Sequence, residues 1–573
     1  MHRQDTLPGI ETDQRSADTH KVAGMTATLT EREARKALGA FYTPPEMAAA
    51  LIDWAVRSPD DRVFDPSFGG FVFLEAALRR LKLLGANPKT TQAQVFGADV
   101  DEGAFLRLSV GTEEATLHRG DFFDMRPGEE TPRVEAVVGN PPYVRYQDFN
   151  GVAEVAHRIA AEAGVPLTRL ASSWAPFLIH ATSFVSDGGR MAQVLPAELI
   201  HAQYATGITR HLAANFDRIA IAVFDQRVFP GALEEVVLLF AEGRNIDAQG
   251  SVDLVSFESL AELDTSQLFP AIKQSGDSHA PGKLLGRLLP AETRDLLTEI
   301  SGRPETTKLA DIAAVDIGAV TGSNDFFLLT RTEARGMPRR VVHPAVSKAA
   351  QIAGARLSAE DHSRLLADGR KGLMFVADTG AKPRSPAVQN RIAVGEEMGV
   401  PDAYKCRVRE PWWSVPIPRR GVADLLLTYF ASEHPRLVLN EAGVLQTNTI
   451  HGVYLKTPMD AASLGVAFYN SLTLLSAELV GRSYGGGVLK LEPTEAGSLI
   501  LPPVPENLGE LLDEVDGLIR SRELEAALDL IDPIVLGEGL GLSGEEIRAL
   551  RDGGAQLRAR RRSRGARPVT VQS

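Results

Sequence analysis

The sequence predicts an α/β fold built on a doubly wound parallel sheet of seven strands, and three observations carry that prediction. Between Asp61 and Glu242 short β-branched runs alternate with stretches of helical spacing, the pattern of strands crossed by helices. Seven such runs fall in that window: Arg62–Asp65, Gln94–Asp99, Ala115–Gly120, Glu135–Gly139, Arg190–Leu195, Arg218–Phe224 and Glu235–Phe240. The first four end on, or just before, a polar residue: Asp65, Asp99, Asp121 and Asn140. Open α/β sheets bind ligands outside the carboxyl ends of their strands, so these four residues mark the candidate site.

From the N-terminus, residues 1–25 are polar and read as a disordered leader without the apolar core of a secretory signal. A helix is expected over Thr30–Leu38, followed by Gly39-Ala40-Phe41-Tyr42-Thr43-Pro44-Pro45-Glu46-Met47, which opens a second helix running through Trp54. The sheet domain spans 26–245. A polar, irregular connector is expected over 246–303 and a second domain of mixed pattern, rich in Pro and Gly, over 304–505. Residues 506–573 carry helical spacing from Leu508 to Ala549 and end in a basic block, Arg558–Arg567, which reads as a solvated tail.

Composition removes some alternatives. The chain has 573 residues, too many for one compact domain, and its 44% hydrophobic and 24% charged content is that of an ordinary globular protein. Cys406 is the single cysteine, which excludes an internal disulfide and a cysteine-rich zinc site and fits a reducing, cytoplasmic setting. No metal site is expected. No apolar run reaches the roughly 18 residues that cross a bilayer, so no membrane partner is expected. The net charge of -13 conceals a basic window: Arg331–Arg420 holds 17 Lys and Arg against 9 Asp and Glu. Phosphate contacts need such local excess, so a nucleic-acid face is expected there.

Asn140-Pro141-Pro142-Tyr143 is the sharpest motif, standing directly after the apolar run Ala136-Val137-Val138-Gly139. Two prolines fix dihedrals and hold Asn140 extended, giving a stiff turn at the sheet's carboxyl edge. An adenine amine is a poor nucleophile because its lone pair is delocalised into the ring. Catalysis on it needs acceptors for both N–H bonds; the Asn140 side-chain oxygen and Pro141 carbonyl could supply them, and Tyr143 could stack on an extruded base. The other reading of the tetrapeptide is a structural turn with a surface tyrosine. Upstream, Val63-Phe64-Asp65-Pro66-Ser67-Phe68-Gly69-Gly70 gives a strand, a glycine turn and a helix, where Gly69 lets backbone approach a ligand. Asp99 suits ribose hydroxyls and Asp121 an adenine amine; each is also an ordinary helix cap taken alone, and in register at successive strand ends they point to a nucleoside.

In this order the motifs resemble the N6-adenine DNA methyltransferases of restriction-modification systems, in the gamma arrangement of the Taq-type enzymes. The resemblance covers Gly39–Phe240 and extends through Trp174-Ala175-Pro176-Phe177, Gly188–Pro196 and Val228-Phe229-Pro230. It implies a class I S-adenosylmethionine-dependent methyltransferase fold, Rossmann-like, followed by a mixed α/β target-recognition domain, with double-stranded DNA as partner and a separately encoded endonuclease as a possible companion. By the resemblance Asn140, Pro141, Pro142, Tyr143 and Phe229 would orient the flipped adenine. Tyr42, Thr43, Pro44, Asp65, Gly69, Asp99, Asp121, Phe122 and Phe177 would hold S-adenosylmethionine; for Phe177 and Phe229 plain core packing stays open. One departure stands in the glycine loop, where Phe71 occupies the place of the pattern's second glycine and Gly70 precedes it. Thr321–Phe327 and Gly485–Pro493 resemble target-recognition segments of larger relatives. Asn324, Arg407, Arg409, Trp412 and Trp413 are the candidate DNA contacts, with a solvated loop holding half-buried tryptophans the alternative. RNA and protein-glutamine methyltransferases share the tetrapeptide but lack the Phe-Tyr-Thr-Pro element and need no second domain. A non-catalytic DNA-binding defence subunit would have no need of an intact tetrapeptide, and a nicotinamide dehydrogenase would give it no role.

Overall fold

The computed structural model describes residues 43–89, 91–106, 115–144, 153–167, 171–202, 204–226, 236–246, 250–269, 284–377, 385–484 and 486–563. Tyr42, Phe229, the leader, the Thr30–Leu38 helix and the end of the basic tail lie outside the described residues. The chain divides into two compact units, residues 1–199, 203–224 and 236–281, and residues 200–202, 225–235 and 282–573.

All seven expected strands form in the first unit: β1 Val63–Asp65, β2 Val95–Asp99, β3 Thr116–Arg119, β4 Val134–Gly139, β5 Val185–Pro196, β6 Phe216–Phe224 and β7 Val236–Arg244. An eighth, β8 Ser251–Phe257, completes the order β3-β2-β1-β4-β5-β7-β6-β8. Pairing is parallel from β3 through β5, but β7 runs antiparallel to both β5 and β6, so the sheet is mixed rather than wholly parallel. β7 is apolar at every residue from Val236 to Ala241 and buried along that run, as a strand covered on both faces must be. β8 falls where the sequence reads as an irregular connector. Among the described residues it is a sheet-edge strand, paired in parallel with β6, half exposed, and so carries polar residues where a central strand would carry an apolar run. The sequence also starts β5 too late. Ser186-Asp187-Gly188-Gly189 has the letters of a turn, yet it lies within the strand, where pairing with β4 slips register between Val134 and Ala136.

Helices α1 Pro45–Ala55, α2 Val72–Leu84, α3 Ala153–Glu162, α4 Trp174–Thr182 and α5 Ala205–Ala213 dress the sheet. α1 starts with Pro45 at its first turn, where the missing N–H is no loss, and buries Met47, Ala48, Leu51, Ile52 and Trp54. The winding reverses between β1 and β4, which places the carboxyl ends of those neighbours, and so Asp65 and Asn140, at the switch point.

The second unit holds a four-stranded antiparallel sheet in the order Ala313–Ile317, Ile450–Leu455, Leu425–Thr428, Leu437–Leu439. A second four-stranded sheet takes in Leu328–Leu329, Leu373–Phe375, Val342–Val346 and Leu445–Gln446. The C-terminal helix α6 Gly544–Ser563 is more than a solvated basic end. Arg561 is buried and its guanidinium meets the Glu478 carboxylate and carbonyls of Ser432, Glu433 and Gly487, while Arg560 pairs with Asp225 and Arg562 with Glu433. Among the described residues no single helix is long and apolar enough to cross a membrane.

Candidate active site

The diproline turn is braced from several sides. Gly139, the last residue of β4, has φ +151°, and a Cβ there would stand 2.8 Å from Asp65 Oδ1, so glycine is required both by conformation and by the close approach of Asp65. Asn140 Nδ2 donates to Thr43 Oγ1 at 3.1 Å, and the Asn140 carbonyl accepts from the Ser67 hydroxyl at 3.3 Å. The Tyr143 hydroxyl lies 2.7 Å from Asn140 Oδ1 and 2.9 Å from the Val194 carbonyl on β5. Tyr143 is buried, which gives it a tethering role on Asn140 that the sequence does not announce. Behind the turn, Ser173 donates through its hydroxyl to the Pro142 carbonyl, accepts from the Val144 N–H at 2.8 Å, and donates its own N–H to the Val144 carbonyl at 2.9 Å.

On the other side of the switch point Asp65 is fully buried. Its Oδ1 accepts from the Ser67 N–H at 3.0 Å while Oδ2 has no hydrogen-bond partner among the described residues. Burial pushes this carboxyl up to about 8, against the Ser67 hydrogen bond and with a small addition from the Asp99 charge. Asp99 Oδ2 accepts from the Gly69 N–H and Oδ1 from the Asp101 N–H, both at 2.8 Å, so the acid at the end of β2 also fixes the glycine loop after β1. Gly69 has φ +48° and Phe71 φ +69°. Position 71, where the resembled pattern has glycine, therefore keeps a backbone conformation that favours glycine, held by burial of the Phe71 ring edge-on to Phe68.

Asp121 follows β3 and caps the short turn Phe122–Asp124, Oδ1 accepting from the Phe123 N–H at 2.9 Å. Burial raises its pKa, as it does that of Asp99. Phe122 and Phe177 are buried against one another with ring centroids 4.5 Å apart, and His180 packs on Phe122, its pKa driven down to about 4 by burial. Thr43 and Pro44 stand at the start of α1, the Pro44 carbonyl accepting from the Met47 and Ala48 N–H groups. The structure thus joins Thr43, Asn140 and Asp65 by hydrogen bonds through Ser67, and Gly69, in the same loop after β1, to Asp99. Sequence reasoning missed Ser173, Gln193 and Glu198. Gln193 is paired with Gly139 across β4 and β5, and its buried Nε2 has no hydrogen-bond partner among the described residues. A lone glutamine inside a strand gives no sequence signal. Glu198 in Pro196-Ala197-Glu198, just beyond a strand end, was open to the same reading as Asp65.

The candidate DNA contacts in the second unit separate into two kinds. Arg409 donates to the carbonyls of Val320 and Thr321. Trp412 and Trp413 pack on the core formed by Phe326, Phe327 and Phe375, with Trp412 at 5.4 Å from Phe326. Arg407 and Asn324 are exposed, Asn324 Oδ1 accepting from the Thr321 hydroxyl at 2.7 Å.

A doubly wound sheet whose seventh strand runs antiparallel between the fifth and sixth, with acids and an Asn-Pro-Pro-Tyr turn at its carboxyl edge, is that of a class I S-adenosylmethionine-dependent methyltransferase. Family comparison agrees: the model described as N-6 DNA Methylase matches residues 26–267, and that of the C-terminal domain of the type II methyltransferase M.Eco57I matches residues 282–536. The type II methyltransferase M.XamI of Xanthomonas campestris pv. amaranthicola is 26% identical over 522 residues, which is 87% of this chain and 91% of that one. M.AccI of Acinetobacter calcoaceticus, also a type II methyltransferase, is 22% identical over 491 residues, 81% of this chain and 85% of its own. The type IIL restriction-modification enzyme MmeI, solved in complex with DNA, shares the fold with TM-score 0.57 at 12% identity over 90% of this chain and 75% of that one. The chain belongs to the adenine-specific DNA methyltransferases of restriction-modification systems.

Proposed function

We propose that this chain methylates N6 of an adenine swung out of double-stranded DNA, with Asn140 and Pro141 as the acceptors that grip the amine. The observation that carries this reading is the fixing of Asn140 at the switch point, by Thr43 on one side and Tyr143 on the other, within reach of the Asp65 loop. Asn140 Nδ2 donates to Thr43, which sets the amide so that Oδ1 is its acceptor atom. An amide oxygen has two lone pairs, and the single Tyr143 proton can pass to the Val194 carbonyl as an adenine N–H arrives. The Pro141 carbonyl takes the second N–H. With both N–H bonds held, the nitrogen lone pair is turned out of the ring plane toward the methyl donor. Flipping costs a few kcal/mol of unstacking, offset by stacking against Tyr143 and Phe229.

The donor set fits S-adenosylmethionine. The unpartnered, fully buried Asp65 Oδ2 is an acceptor suited to the cofactor's ammonium, and the backbone at Gly69 admits close approach. Asp99 would take the ribose hydroxyls; Asp121, Phe122 and Phe177 would bound the adenine; Tyr42, Thr43 and Pro44 would also hold the cofactor. When bound, the cofactor supplies an electrophilic methyl group on a sulfonium. A separately encoded endonuclease is the companion such a modification enzyme protects against. Incubation with labelled S-adenosylmethionine and DNA of mixed sequence, followed by mapping of modified bases, is expected to place label on N6 of adenine at one recurring sequence. Label on cytosine, RNA or protein alone would overturn the reading.

A further inference from the structure

Just beyond β5, one carboxylate oxygen collects three donors. Glu198 Oε2 accepts from the Trp174 Nε1–H at 3.1 Å, the Ser172 hydroxyl at 3.2 Å and the Tyr204 hydroxyl at 2.5 Å. None of these donors is charged, so the ionised acceptor strengthens each bond without an opposing cation. Trp174 is fully buried, and its indole N–H would be stranded without this acceptor. The Tyr204 ring lies 6.0 Å from that of Trp174 and completes the packing. Two of the donors, Ser172 and Trp174, flank Ser173 directly, and Ser173 is the residue that clasps the Pro142 and Val144 backbone from behind.

We propose that Glu198 is a positioning residue for methyl transfer, acting through the 172–174 strap to set where Asn140 Oδ1 and the Pro141 carbonyl stand. This rests on the reading of the diproline turn given above. Thr43, Tyr143 and Ser67 hold Asn140 on the near side of the turn and Ser173 clasps the Pro142 and Val144 backbone behind it, so loosening the strap shifts the acceptors, while Asp99 continues to hold Gly69 in the loop after β1. A displacement of about 1 Å at such a site costs on the order of 100-fold in rate.

The test compares Glu198→Ala, Glu198→Gln and Tyr204→Phe in single-turnover methylation of DNA, with cofactor affinity measured by calorimetry on the same preparations. Glu198→Ala is expected to slow the transfer step by about 10- to 100-fold while cofactor Kd changes less than about twofold. Glu198→Gln keeps an oxygen acceptor and should recover most of the rate, with Tyr204→Phe in between. A Glu198→Ala enzyme that binds cofactor normally and transfers methyl at the wild-type rate overturns the proposal, as does a rate loss that Glu198→Gln fails to relieve at all. Should Glu198→Ala not fold, the Glu198→Gln and Tyr204→Phe rates decide alone, and wild-type rates in both would count against it. Asn140→Ala run alongside separates the two claims: if it stays active the turn itself is misread, whereas an inactive Asn140→Ala beside a fully active Glu198→Ala removes only the role of Glu198.

Discussion

At the scale of single residues the site is organised by atoms left in unusual states. Asp65 is a buried carboxyl that holds its proton to about pH 8 because desolvation penalises the charge. Its folded value lies above the ordinary carboxylate range, so the folded chain binds more protons than the unfolded one between about pH 4 and pH 8. The apo protein therefore loses stability from this group as pH rises through that window. The proposed pairing with the cofactor's ammonium would reverse the balance, since it requires the carboxylate. Cofactor affinity is accordingly expected to rise with pH toward 8, then to fall as the ligand's own amine, of pKa about 8, loses its proton. Calorimetry at pH 7 in two buffers of different ionisation enthalpy should show close to one proton released on binding, and none for Asp65→Asn. Equal proton release by both proteins would remove Asp65 from the ammonium site. The sequence announced Asp65, Asp99, Asp121 and Asn140 because each closes a strand. It did not announce that Tyr143 would tether Asn140 or that Arg409 would be held by the carbonyls of Val320 and Thr321, because those contacts join residues remote in sequence.

Elements fix what residues cannot choose for themselves. β4 brings Gly139 against Asp65, and only a residue without a side chain leaves room for that carboxyl. Gly139→Ala is expected to destabilise the fold by about 1–3 kcal/mol through overpacking and backbone strain, read as a lowered urea midpoint with unchanged m, and to weaken cofactor binding with it. A variant of unchanged midpoint would mean that Asp65 can be pushed aside without cost. Strand recognition from sequence succeeded where both faces are covered, as in β4 and β7, because burial there selects an unbroken apolar run. It failed at β8, which is half exposed at the sheet edge, and at the start of β5, where an Asp-Gly-Gly bulge imitates a turn. The antiparallel run of β7 between β5 and β6 leaves no trace in residue pattern either, since direction depends on how the chain returns.

For the molecule as a whole, the net charge of -13 must be reconciled with a polyanionic substrate. The basic window answers it in composition, and the structure sorts its members. Arg407 is exposed, whereas Arg409 is engaged with backbone carbonyls. Arg407→Ala should lower DNA affinity and reduce the salt slope of binding by about one, at unchanged stability. Arg409→Ala should instead cost about 1–3 kcal/mol of stability by stranding those carbonyls. Filter binding across a salt series together with denaturation separates the two, and the opposite assignment of effects would move the DNA face away from Arg407. What most directly tests the whole account is single-turnover methylation by Asn140→Ala, with cofactor affinity measured on the same sample. The acceptor role predicts normal cofactor binding and no N6-methyladenine; transfer at the wild-type rate would contradict it.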